Sequence, residues 1–183
     1  MGTYLAWFLA AVPGFLALAA IIAVVSAALT WWRSRRLGWR AALGATLPDT
    51  TLLVALAAIA TLTLGQPFDA QRERINLIPF RDLLWALDGQ VEPAIAITEL
   101  VANVLLFVPL GSALAVRHPR ASMWWVAGIA AAVSLAVEAT QAIMGTGRLA
   151  DITDVLANTA GATLGAALWG AISAGSRPTE RNA

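Results

Sequence analysis

The chain alternates between long apolar runs and shorter polar ones. Runs from Tyr4 to Thr30, Ala41 to Leu64, Pro93 to about Val116, Met123 to about Met144 and Asp154 to about Ser173 all reach the roughly 20 residues that a helix needs to cross hydrocarbon. The pattern predicts an all-α fold, a polytopic bundle of five membrane-spanning helices. From Gln66 to Glu92 the chain stays polar for longer than a simple turn requires. Within that stretch Phe80, Leu83, Leu84 and Leu87 recur at helical spacing, with Arg81, Asp82 and Asp88 elsewhere around the turn. This predicts a short amphipathic helix lying on the membrane surface between the second and third spans.

Local signals refine the spans. The first run could be read as a signal peptide, but it lacks a basic leader and is about twice the usual length of such an apolar region, so it is expected to stay as a helix. Trp31 and Trp32 then mark a headgroup boundary, followed by Arg33, Arg35, Arg36 and Arg40. In the second run Pro48 predicts a kink or a fresh helix start, which would give Asp49 a capping role against the helix dipole. In the third, Pro109 and Gly111 predict a bend, and Glu99 and Asn103 share a face. Trp124 and Trp125 anchor the fourth. The glycines at 145 and 147 permit a tight reversal before the fifth.

Composition agrees with the pattern. With 59% hydrophobic and 13% charged residues, and a mean hydropathy of +0.72, the chain is far less charged than a soluble protein. The division expected is 1–40 for the first span and a basic turn, 41–173 for a four-helix membrane domain, and 174–183 for a disordered tail. A net charge of +1 without a basic run gives no support to nucleic-acid binding. Cysteine is absent, which removes disulfides, thiol catalysis and thiolate metal sites. The single histidine, His118, lies in the turn RHPR with no companion ligand, so neither a metal nor a cofactor is expected. The arginines at 33 to 40, 117 to 120 and in the tail outnumber those in the other loops. The positive-inside rule therefore places the N-terminus outside and the C-terminus in the cytoplasm.

The candidate chemistry gathers around the fourth and fifth spans. Glu138, Gln141, Arg148, Asp151, Asp154 and Asn158 lie close together in sequence, at the edge of hydrocarbon where polar groups are costly and therefore functional candidates. By helix rise, Glu138 lies roughly 9 Å from the end of its span, Asn158 roughly 6 Å, and Glu99 and Asn103 roughly 9 and 15 Å into theirs. Three spans thus bring polar groups to one side of the bilayer. Taken singly, the same residues could serve only as interhelical glue, Asp154 as an N-cap and Asp151 with Arg148 as a loop ion pair. Ala157, Gly161 and Gly165 form a stripe of small residues that suits the fourth span or a second copy of the chain equally well, and Gly128, Ala131 and Ala132 form a similar stripe on the fourth span.

The segments Asn76-Leu77-Ile78-Pro79-Phe80 and Asn103-Val104-Leu105-Leu106-Phe107-Val108-Pro109-Leu110-Gly111, then Glu138 and Gln141, then Gly147-Arg148 with Asp151, Asp154, Asn158, Gly161 and Gly165, resemble the VanZ-like family of bacterial membrane proteins. The resemblance covers about 49 to 170, and the first span lies outside it. Ala142 and Ile143 stand where that family is expected to carry an aromatic residue. The resemblance implies a place in the bacterial cell membrane and, by the protein that gave the family its name, a link to teicoplanin resistance; it implies no reaction.

Two functions follow as expectations. In the first, a lipid-linked cell-wall intermediate or lipoglycopeptide binds an outward pocket. Arg81 and Arg148 would meet phosphate or carboxylate, and Glu138 and Asp151 amine or hydroxyl groups, with Asp154 also in the binding set. Asn76, Asn103, Gln141 and Asn158 would orient the ligand, and the amphipathic helix would form a lid. In the second, Glu138 is the base of a membrane-embedded enzyme, Asp151 or Asp154 its partner, and Arg148 the stabiliser of a developing anion. A transporter has less support, because no inverted repeat is visible.

Overall fold

The computed structural model describes residues 2–64, 75–144 and 150–175. Six helices account for almost all of it: α1 (Gly2–Leu37), α2 (Trp39–Leu64), α3 (Arg81–Leu87), α4 (Pro93–Arg117), α5 (Met123–Met144) and α6 (Ile152–Gly175). Among the described residues, five helices are long and apolar enough to cross a membrane, and the seven-residue α3 is the remaining one. The protein is an all-helical, multi-pass membrane protein.

Several helix bounds differ from the pattern. Helix α1 continues through the Trp31–Arg36 segment to Leu37 and turns at Gly38, whose φ of +77° is a conformation that glycine adopts without strain. Helix α2 runs unbroken through Pro48, so Asp49 lies inside the helix and caps nothing. Its carboxylate instead joins three helices. Oδ2 accepts from Arg33 Nη1 of α1 at 3.1 Å, and Oδ1 lies 3.2 Å from Arg117 Nε at the end of α4. Thr50 on α2 also donates to Ser26 on α1, at 2.7 Å. Helix α1 packs on α2 and leaves Leu16, Ile21, Val24 and Val25 exposed.

The centre of the bundle is α4 against α6, which run parallel: Asn103 meets Asp154, Val104 meets Gly161 and Val108 meets Gly165. A Cβ added to Gly161 would overlap the carbonyl of Val104, one on Gly165 that of Val108, and one on Gly111 that of Ala162. Ser112 Oγ donates to the Gly165 carbonyl at 3.0 Å. The stripe on α6 therefore meets α4, and Gly111 serves close packing. Lipid gives no hydrophobic drive for helix association, so this backbone approach and its dispersion contacts hold the pair. Around it pack Ala55 and Ile59 of α2, Phe107, Leu110 and Leu114 of α4, Val126 and Ala130 of α5, and Ala162 and Ala166 of α6.

On α5 the expected stripe of Gly128, Ala131 and Ala132 is not the packing face: Gly128 and Ala132 are exposed, and nothing lies within 4 Å of a Cβ at Gly128. The buried face runs instead through Val126, Ala130, Ser134, Glu138 and Gln141. That spacing carries small apolar residues at one end and polar residues at the other. The position of the polar end follows from it.

Candidate functional site

Two short strands form the frame of the polar end. Strand β1 (Ile75–Asn76) pairs in parallel with β2 (Ala150–Asp151), Asn76 standing opposite Asp151. The Asn76 side chain is 3% exposed and holds both segments in place. Its Nδ2 donates to Asp151 Oδ2 at 2.8 Å and to the Ile78 carbonyl at 3.2 Å, while its Oδ1 accepts from Ile78 N at 3.0 Å. This local turn sets the chain up for Phe80, a non-glycine residue at φ +57°, whose N–H donates to Thr153 Oγ1 at 2.9 Å. The Asn76 loop is thereby bound to the start of α6 at two points. Helix α3 begins at the next residue.

Asp151 is the hub. Its Oδ1 accepts from Thr153 N at 2.7 Å, the reach of an N-cap side chain over the first turn of α6. Its backbone N–H donates to Glu138 Oε2 of α5 at 3.0 Å. The cap expected of Asp154 is thus supplied by Asp151. Asp154, in the first turn of α6, accepts from Asn103 Nδ2 of α4 at 2.5 Å. Asn103 is ten residues into α4, so roughly 12 Å of α4 extends past the start of α6. Distance along a helix did not translate into depth in the bundle.

Further polar groups stitch the helices, Asn158 with Ser134 deeper in the bundle and Gln141 with Thr63 nearer its end. Asn158 Nδ2 donates to Ser134 Oγ at 2.8 Å, between α6 and α5. Gln141 Nε2 donates to the Thr63 carbonyl at 2.8 Å, serving one of the orphan carbonyls at the end of α2. Asn158 and Gln141 are 2% and 1% exposed, and the Oδ1 and Oε1 atoms that remain on them have no hydrogen-bond partner among the described residues.

Of the expected binding residues, Asn76, Asp151 and Glu138 are thus directly linked, Asn103 and Asp154 form a second linked pair, and Gln141 and Asn158 lie on the faces that continue from them. Arg81 is mostly buried, its guanidinium 4.4 Å from the Trp85 ring and its Nε 3.7 Å from Asp82. Glu99 is at an exposed position. Arg148, the 145–149 reversal and the C-terminal tail lie outside the described residues. The residues that the sequence did not single out are Ser134, Thr153 and Thr63. A hydroxyl in helical register with Glu138 was the available signal for Ser134; the other two act through a side chain or carbonyl at an element end.

The fold and this polar end define a helical membrane protein whose linked polar groups, among the described residues, are carboxylates, amides and hydroxyls. A family model described as VanZ/LLP1 matches residues 50–173. The chain belongs to that family. The matched part takes in the site and all but the first turns of α2, and it leaves out α1. No curated protein and no solved structure matches the chain.

Proposed function

We propose that this VanZ-like protein binds an amphipathic, lipid-linked envelope ligand at its polar end, and that it thereby contributes to resistance to teicoplanin-type glycopeptides. The carrying observation is the shared hub: the Asn76 segment, α5 and α6 all converge on Asp151 through hydrogen bonds. The buried members Asn76, Asn103, Glu138, Gln141 and Asn158 hold the frame. Asp151 and Asp154, which are only half-buried, face the ligand. Arg148 lies two residues before β2 and meets its phosphate or carboxylate. The N-terminus outside and the C-terminus inside put this end on the outer face. There α3 sits in the headgroup layer with Phe80, Leu84 and Leu87 turned away from the protein.

The enzyme reading casts Glu138 as a base. Glu138 is 6% exposed and accepts from the Asp151 backbone N–H, contacts that support a holding role. The test is binding of a lipid-linked cell-wall precursor and of teicoplanin by native mass spectrometry, beside antibiotic sensitivity of cells. Arg148→Ala and Asp154→Asn are expected to lose binding and to raise the teicoplanin sensitivity of the cells, at wild-type folded yield. Undiminished binding in the two variants would overturn the proposal.

A further inference from the structure

At the opposite end of the bundle, the α1–α2 hairpin projects beyond its neighbours. Arg117, the last residue of α4, meets Asp49, which is ten positions into α2, so roughly three turns of α2 lie past the end of α4. Between Trp31 and Pro48 the tip carries four arginines and no acid. Arg33 is turned inward to Asp49 and Thr46. Arg35, Arg36 and Arg40 are exposed, and no salt bridge engages them among the described residues. Beside them Trp31, Trp32, Leu37 and Trp39 are 57%, 54%, 57% and 60% exposed.

Two of these arginines are already oriented. The Arg35 guanidinium lies 3.7 Å from the centroid of Trp31, and that of Arg36 lies 5.3 Å from that of Trp32, each one helical turn away. Stacking uses the face of a guanidinium and leaves its N–H edge for an anion, and a phosphate takes that edge in bidentate fashion. The rings and Leu37 require apolar surroundings at the same depth. A phospholipid leaflet supplies both. The family match begins at residue 50, so this tip lies outside the matched residues.

We propose that the tip of the α1–α2 hairpin is a binding surface for anionic phospholipid, in which Arg35, Arg36 and Arg40 hold the headgroup phosphate and the three tryptophans seat its acyl chains. The occupant is a lipid, because a soluble anion would leave the tryptophans exposed.

The test uses the full chain in detergent, with native mass spectrometry of phosphatidylglycerol set against phosphatidylcholine. An arginine near an anionic surface contributes about 5-fold in affinity, so R35Q/R36Q/R40Q is expected to lose on the order of 100-fold in the preference for phosphatidylglycerol. The melting temperature should remain that of the wild type. Should the triple variant fail to fold, the single variants are expected to lose about 5-fold each. A wild-type protein that takes both lipids equally, or variants that keep the full preference, would overturn the proposal.

Discussion

Gly161 lies against the main-chain carbonyl of Val104, so close that no side chain fits between α6 and α4. The obstacle is backbone, which cannot rotate away as a side-chain tip could. Gly161→Ala is therefore expected to lower stability by about 1–3 kcal/mol through overpacking. Gly128→Ala on α5 meets open space and should melt at or above the wild-type temperature. Thermal melting of the two purified variants in one detergent checks the pair. Equal melting temperatures would contradict the close α4–α6 approach.

Asp49 presents a different kind of joint. Its two oxygens hold arginines from α1 and α4, with Arg33 and Asp49 only 24% and 27% exposed. Asp49→Asn would leave two cations facing a neutral amide, at a cost on the order of 1–2 kcal/mol, between the values for exposed and buried pairs. Because the chain has no cysteine, the effect on α1 can be read directly. Ser26→Cys with Thr50→Cys should form a disulfide on mild oxidation, and Asp49→Asn should slow that reaction. An unchanged rate would mean that α1 is held by its packing on α2 alone.

The pairing of β1 with β2 can be captured in the same background. Neighbouring strands lie about 4.8 Å apart, within the range of Cα separations that a disulfide spans. Ile75→Cys with Ala150→Cys should therefore crosslink, and Leu77→Cys with Ala150→Cys should do so far more slowly, because Leu77 is outside the register. Gel mobility after oxidation distinguishes the two.

Gln141 separates a bond from its cost. Its amide serves the Thr63 carbonyl, but its own carbonyl oxygen is buried without a partner among the described residues. Gln141→Met removes the hydrogen bond and the orphan acceptor together, and is expected to change stability by less than about 1 kcal/mol. Gln141→Glu points a carboxylate at the Thr63 carbonyl and should cost about 1–3 kcal/mol at neutral pH. Melting curves of both variants check the difference.

The sequence made the spans and the polar end legible because both follow from composition along a single helix. Pro93, Met123 and Met144 mark helix ends just where the structure has them. What it could not show is which helix meets which. The partners of Gly161 and Gly165 are carbonyls of Val104 and Val108, and a carbonyl is common to every residue. Asp49 read as a cap because the proline before it is a local signal, whereas Arg33 and Arg117 lie 16 and 68 positions away. The exposed Gly128 shows the converse error: small residues permit close approach but do not compel it. On α5 the buried line is marked instead by Ser134, which the sequence did not single out, and by Glu138, which reads as chemistry and not as packing.

The parallel bridge between Asn76 and Asp151 couples what would otherwise be two independent excursions of the chain. Since Phe80 is also fastened to Thr153, the orientation of α3 and the first turn of α6 are geared to one another. Loss of the Asp151 carboxylate would free the Asn76 amide and leave the Phe80–Thr153 bond as the remaining side-chain tie between the segment that leads into α3 and the first turn of α6.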